Sequence, residues 1–397
     1  MRLLSLITAV LLTPVLSYAM SFNALCDHAY KASGEIIQTN GHLVSNTYEK
    51  ASTLASEPLL LEGLASGIKG KDSVDSGIMY GTMLHYQLKK PAFQEAQAYQ
   101  YDQNTKRLQQ EVELQQRLIQ VSLKHYWLIA LIEQERIGIL NEKVASAKEG
   151  TSIGGKKVAA GRMSQMELLR LQGDERNALQ ELAIGKMEYE HAQHILKEAA
   201  MLDEEIVIDD LKFAFITDDN GTENRVKNAG VLQTLNAQIN TLNAQIKSAH
   251  YIGNEFLSMG AGATHEPSQN SIDFRLSVPL AWGDKNEKKI AALMAEKSAL
   301  THRLDVTHTK LKMNIGTLLE HLHTREERFN DALITQKQQK MLMEMAQKGY
   351  DGGVVSQFEY LATKNSYYDA RLRAIELKRE YIQEMSAMEE KLGRIWE

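Results

Sequence analysis

The sequence predicts a mainly α-helical chain with strands suited to a membrane β-barrel: long coiled-coil-like helical hairpins plus two β-hairpins per chain. Three observations predict it. Proline is nearly absent, two stretches alternate apolar and polar residues, and a short motif recurs at an offset of 192 residues.

The first twenty residues come before any of this. Arg2, the apolar run Leu3 to Leu16 and the small-residue end Ser17-Tyr18-Ala19 have the layout of a signal peptide spanning 1–19. The run is shorter than the roughly 20 apolar residues a spanning helix needs, so export and cleavage are expected rather than anchoring. Cys26 is the only cysteine in 397 residues, so no internal disulfide can form and packing must hold the chain. Phe22-Asn23-Ala24-Leu25 before it is unlike a lipoprotein signal. A net charge of -6 offers no basic footprint, which excludes nucleic acid as a partner.

Ala24 to about Thr53 reads as a helical segment and leads into the first hairpin, 58–88. A small-residue strand, Leu59 to Gly67, and a turn, Lys69 to Ser76, precede the alternation Ile78, Tyr80, Thr82, Leu84, Tyr86 and Leu88. From Pro91 to about Glu149 no proline interrupts, which allows a helix of roughly 90 Å at 1.5 Å per residue. Gly161-Arg162-Met163-Ser164 then turns the chain, and a return helix runs from Ser164 to about Ala200. These elements make a first repeat, 20–200, whose long helical hairpin is 91–200. A linker follows at 201–227, with an apolar run at Ile206 to Ile208 and a turn near Asp218-Asp219-Asn220-Gly221.

The second repeat, 228–397, has the same plan. A helix from Asn228 to about His250 leads to a hairpin at 255–280, with strand Phe256 to Ala263 and turn Thr264 to Ser271. Its alternating strand carries Ile272, Phe274, Leu276, Val278 and Leu280, with Asp273, Arg275 and Ser277 on the other face. The long helical hairpin 284–397 begins near Lys285, continues to Lys348, turns at Gly353-Val354-Val355-Ser356 and returns. Its final helix spaces Phe358, Leu361, Tyr368, Leu372, Ile375 and Ile382 by threes and fours, with Asn365 and Arg379 interrupting the seam.

The repeat holds at every checkpoint. Leu88 maps to Leu280, Glu135-Arg136 to Glu327-Arg328, and Gly161-x-x-Ser164 to Gly353-x-x-Ser356, all 192 apart. Strands with one apolar face in an exported, otherwise helical chain suit a transmembrane barrel. Four strands cannot close one alone, so several chains must contribute.

Signal peptide, duplicated hairpins, long helices and the paired Gly-x-x-Ser turns together resemble the TolC-type family of outer-membrane efflux proteins. The motifs that carry the resemblance are Ser277-Val278-Pro279-Leu280 with Gly283, and Tyr350-Asp351-Gly352-Gly353-Val354-Val355-Ser356 with Glu359. The resemblance implies a homotrimer whose twelve strands form one barrel in outer-membrane lipid, on an α-helical tunnel through the periplasm. It also implies an inner-membrane pump and a periplasmic adaptor as partners, and a tunnel tip closed at the two turns. Its gate positions would be Gly161, Arg162, Ser164 and Glu167 in one copy and Tyr350, Gly353, Ser356 and Glu359 in the other. Helix capping by Ser164-x-x-Glu167 and Ser356-x-x-Glu359 is the competing role. The compact length leans toward the heavy-metal branch over the drug-export branch.

No catalytic constellation and no cofactor motif is found, so an enzyme is not expected. His191 and His194, one helical turn apart, are the weak metal candidates, and Met79, Met83 and His85 share a strand face. The expected function is passive exit of small toxic solutes, metal ions or drugs. Protein secretion through the same channel, or a non-channel periplasmic coiled-coil scaffold, are the alternatives.

Overall fold

A computed structural model describes residues 21–68, 77–204, 206, 215–216, 221–267, 269–279 and 285–396. The expected signal peptide, the turn at 69–76 and most of 207–220 lie outside them. Among the described residues are helices α1 (Phe22–Ala32), α2 (Gly34–Leu54), α3 (Pro91–Ala159), α4 (Gln165–Ala200), α5 (Thr222–Lys227), α6 (Gly230–Ala249), α7 (Lys285–Asp351) and α8 (Gln357–Leu392). The strands are β1 (Leu60–Ile68), β2 (Gly77–Lys89), β3 (Phe256–Glu266) and β4 (Gln269–Ser277). The chain divides into two compact units that cut across the sequence repeats, each repeat contributing to both.

The strand-bearing unit, Gly34–Arg117 with Gly221–Asn314, holds one antiparallel sheet of order β1-β2-β3-β4. The two hairpins therefore join through β2 and β3. The second turn is tighter than the sequence predicts, because Thr264 pairs with Ser271 and Glu266 with Gln269, inside the expected loop. The ladder runs on through His265 and Glu266 and stops at Pro267, which has no N–H to give it. Around the sheet base, Lys89 Nζ donates to the carbonyls of Thr53 and Ala55 at 2.7 and 2.8 Å, tying β2 to the end of α2. Asn46 Nδ2 donates to Tyr101 O at 3.0 Å and Thr105 Oγ1 at 2.8 Å, and Leu242, Ala249 and Leu293 form an apolar cluster.

The helical unit, which includes Leu118–Asn220 and Ile315–Glu397, is organised around side chains at helical spacing. Leu25, Cys26 and Ala29 of α1 pack with Leu123 and Trp127 of α3 and Leu196 and Ala200 of α4, and Phe22 meets Trp127 edge-on at 6.0 Å. Tyr381 is fully buried, its hydroxyl accepting from Ile216 N at 2.8 Å, while Phe215 meets Tyr381 edge-on at 4.8 Å and Phe329 at a tilt at 5.3 Å.

Helix boundaries moved for physical reasons. α3 continues ten residues past Glu149 through Gly150 and Gly154. A Cβ at Gly150 would lie 2.8 Å from Leu361, and one at Gly154 would lie 2.7 Å from Leu171, so these glycines admit neighbouring helices instead of ending this one. The segment expected as one helix from Ala24 to Thr53 is split at Ser33, whose ψ of 115° is extended. The one expected from Asn228 starts at Gly230, after the short α5. In α8 the seam holds at Tyr368, Ile375 and Ile382, all buried, but Phe358 is exposed.

Candidate functional site

Strand register places side chains by parity. Leu61, Ala65, Ile78, Tyr80, Leu84, Leu88, Met259, Ile272, Phe274 and Leu276 fall on one face because their paired residues share it. This apolar face is open: Phe274 is 84% exposed and Ile272 76%. The opposite face carries Glu62, Met79, Met83, His85, Thr264, Asp273 and Arg275, with the His85 ring nitrogen 2.7 Å from Glu62 and Thr264 donating to Asp273 at 2.9 Å. Gly81 and Gly262 also lie there. A Cβ on Gly262 would sit 2.5 Å from Thr82 O, so this face has backbone approach too close for side chains. Among the described residues β1 and β4 are the edge strands, with no further strand beyond either.

Within the helical unit, the two glycine stops share the same pair of backbone bonds. Gly161 N donates to Val158 O at 2.9 Å and Arg162 N to Lys157 O at 2.8 Å. Gly353 N donates to Tyr350 O at 3.0 Å and Val354 N to Gly349 O at 2.8 Å. Each is the glycine stop in which two successive N–H groups satisfy the last carbonyls. Ser164 and Ser356 then cap α4 and α8, their hydroxyls accepting from Glu167 N at 3.2 Å and Glu359 N at 3.1 Å. Only the first is reciprocal: Glu167 Oε2 accepts from both the N–H and the hydroxyl of Ser164 at 2.9 Å, which holds its carboxyl below the usual range. Tyr350 stacks on Tyr360 at 5.3 Å under the Lys157 ammonium, and Arg162 forms no ion pair with Glu167 or Glu359 within the chain.

Sequence reasoning missed the charged seam of α3, α4 and α8. Glu133, 1% exposed, lies 3.1 Å from Arg379 and 3.3 Å from Arg136, which also pairs with Glu188. Lys143 bridges Glu181 at 2.8 Å and Asp369 at 3.0 Å, and Lys124 reaches the buried Glu389 at 2.7 Å. Burial pushes the Glu389 carboxyl up, Lys124 opposing it. For Lys143, burial pulls the ammonium down but its two carboxylates outweigh it and the net direction is up. Arg379 is the seam interruption noted in the sequence, and its partner Glu133 follows an apolar run that ends at Ile132. That combination was the available signal.

His191 lines a cleft with His125, Glu133 and Glu188, and His194 is exposed. Among the described residues no three His, Cys, Asp or Glu side chains converge for a metal. Cys26 is buried and its thiol is pushed up to about 11 by burial, so it behaves as a small apolar group. Among the described residues no helix is long and apolar enough to cross a membrane.

The sequence matches no protein-family model and no curated protein. Solved structures do match. CusC shares 13% identity at a TM-score of 0.71, covering 94% of this chain and 92% of that one. The outer membrane protein VceC of Vibrio cholerae shares 12% at 0.68, covering 95% and 97%. The CmeC outer membrane channel of Campylobacter jejuni shares 15% at 0.66, covering 94% and 85%. The fold of this chain is therefore the one shared by these outer-membrane channel structures.

Proposed function

We propose that this chain is one of three identical subunits of an outer-membrane exit duct in a tripartite efflux system. Residues 1–19 direct export, twelve strands from three copies close one barrel, and the helical hairpins reach through the periplasm. A pump in the inner membrane and a periplasmic adaptor deliver small toxic solutes, metal ions or drugs, and supply the energy; passage through the duct is passive. The observation that carries this reading is the open apolar sheet face, with Phe274, Ile272 and Leu276 presented together and, among the described residues, no strand beyond either edge. In water such a face and such edges aggregate, whereas lipid and a neighbouring strand satisfy them.

The two turns form the tip. Glu167 is engaged with Ser164, whereas Ser356 has only the one-way cap, so Glu359 is the better carboxylate for Arg162 of a neighbouring copy.

The test is membrane fractionation followed by electrophoresis of the detergent extract with and without heating. An outer-membrane species running near three chains until heated is expected. A soluble monomer overturns the reading in favour of a helical scaffold.

A further inference from the structure

We infer that Met83 Sδ and His85 Nδ1 form a binding site for a soft monovalent metal ion, Cu(I) or Ag(I), on the polar face of the sheet, with Glu62 holding the imidazole in place. All these groups belong to one chain, so the site stands whether or not three copies assemble.

The strand ladder brings the groups together. Met83 and His85 are two residues apart in β2, so both side chains leave the same face, about 7 Å from each other. Glu62 of β1 pairs with Met83, and on the other side Gly262 and Gly260 of β3 pair with Met83 and His85. His85 Nε2 lies 2.7 Å from Glu62 Oε2. An ionised carboxylate only accepts, so Nε2 carries the proton of the neutral ring and Nδ1 keeps its lone pair. No hydrogen bond reaches Nδ1 among the described residues. A carboxylate placed this way fixes the tautomer and the orientation of a histidine and makes the remaining nitrogen a better metal ligand.

The two glycines leave room for the ion. A Cβ on Gly260 would lie 3.0 Å from His85 Nδ1, and one on Gly262 would lie 3.1 Å from Met83 Cβ. A side chain at either position would close the trough that the two donors border. Met83 is only 4% exposed, which keeps its thioether away from water. Neighbouring charge favours a cation. Asp273 pairs with Gly262 and Arg275 with Gly260, and the carboxylates of Glu62 and Asp273 engage His85 and Thr264, both neutral, so two carboxylates face one guanidinium.

The donors select the metal. Thioether and imidazole are a soft pair, which suits Cu(I) and Ag(I), ions that accept two ligands in a line, over Zn(II) or Mg(II). The set holds one histidine and one carboxylate beside the sulfur, so it differs in kind from the His, Cys, Asp and Glu clusters that are absent among the described residues. Met79 shares the face but lies four residues away, about 13 Å, out of reach of the same ion.

Silver titration of the full chain in detergent tests the site. The buffer is free of chloride, and every sample carries Cys26→Ala, which removes the one thiol that would compete. Calorimetry is expected to show a single tight Ag(I) per chain that excess Zn(II) does not displace. Met83→Leu, close in volume, and His85→Gln are each expected to weaken it by about tenfold or more, and Met79→Leu not at all. Glu62→Gln is expected to weaken it about tenfold and to mix the two ring tautomers of His85 in the nitrogen NMR spectrum. Equal silver affinity in the parent, Met83→Leu and His85→Gln overturns the inference, as does displacement by Zn(II). Should the variants not fold, the wild-type chain decides. Ag(I) is expected to protect His85 from diethyl pyrocarbonate, read by peptide mass spectrometry, and unchanged modification overturns the inference.

Discussion

Gly161 and Gly353, 192 residues apart, hold the same left-handed backbone, φ 69° and 75°, and each donates to the carbonyl three residues back, Val158 and Tyr350. Nothing lies within 4 Å of a Cβ built on either. Replacing either by alanine therefore costs only the backbone conformation, about 1 to 2 kcal/mol in each case. Urea unfolding of the two single variants is expected to give equal losses, and a loss confined to one turn would show that the repeats are not equivalent there.

The pairing of Lys124 with Glu389 behaves differently, since the carboxylate is 1% exposed and also accepts from Trp396 N at 2.8 Å. Lys124→Met strands a buried charge and is expected to cost about 3 to 5 kcal/mol. Adding Glu389→Gln is expected to recover most of it, because the desolvation that raises the Glu389 carboxyl is then gone. A double-mutant cycle by thermal unfolding reads this directly; equal losses in the single and double variants would mean packing, not charge, holds the site.

How much of this was legible beforehand follows from where side chains report on backbone. Alternation at Ile272, Phe274 and Leu276 and the Gly-x-x-Ser turns name their own geometry, so the strands, the turns and their duplication could be read directly. The run of α3 through Gly150 and Gly154 could not, because those glycines answer to Leu361 and Leu171, which lie far away in sequence. The Glu133, Arg136 and Arg379 seam was hidden for the same reason: its partners sit on different helices, and one chain position does not reveal its neighbour across a bundle. Of the residues at the two turns, the capping geometry of Ser164 was written in its spacing to Glu167, whereas the stack of Tyr350 on Tyr360 was not.

His125 makes the helical unit sensitive to acid. Its Nδ1 is buried without a hydrogen-bond partner, and burial, with Arg379 nearby, holds the ring below its usual range while Glu390 opposes. Glu133, Glu188, His191 and Tyr126 share its cleft. A folded value lower than the unfolded one, about 6.5, means the unfolded chain binds the extra proton first. Stability is therefore fully present above that pH and is lost as pH falls toward the depressed folded value. His125→Gln is expected to flatten this part of the profile below about pH 6.5 in thermal unfolding, and an unchanged slope would assign it to other groups.

The two sheet faces make opposite predictions for charge. Phe274 and Asp273 are neighbours in β4, yet Phe274 lies 84% exposed on the apolar face and Asp273 accepts from Thr264 on the polar one. If the apolar face meets hydrocarbon, Phe274→Arg places a charge in lipid at about 2 to 4 kcal/mol and is expected to reduce the heat-modifiable trimer in the membrane fraction. Asp273→Asn, facing the water-filled side, is expected to leave that fraction unchanged. The contrast separates barrel from scaffold even without a transport assay. In a soluble scaffold an exposed phenylalanine gains nothing from its ring, so Phe274→Arg would improve solubility and leave assembly intact.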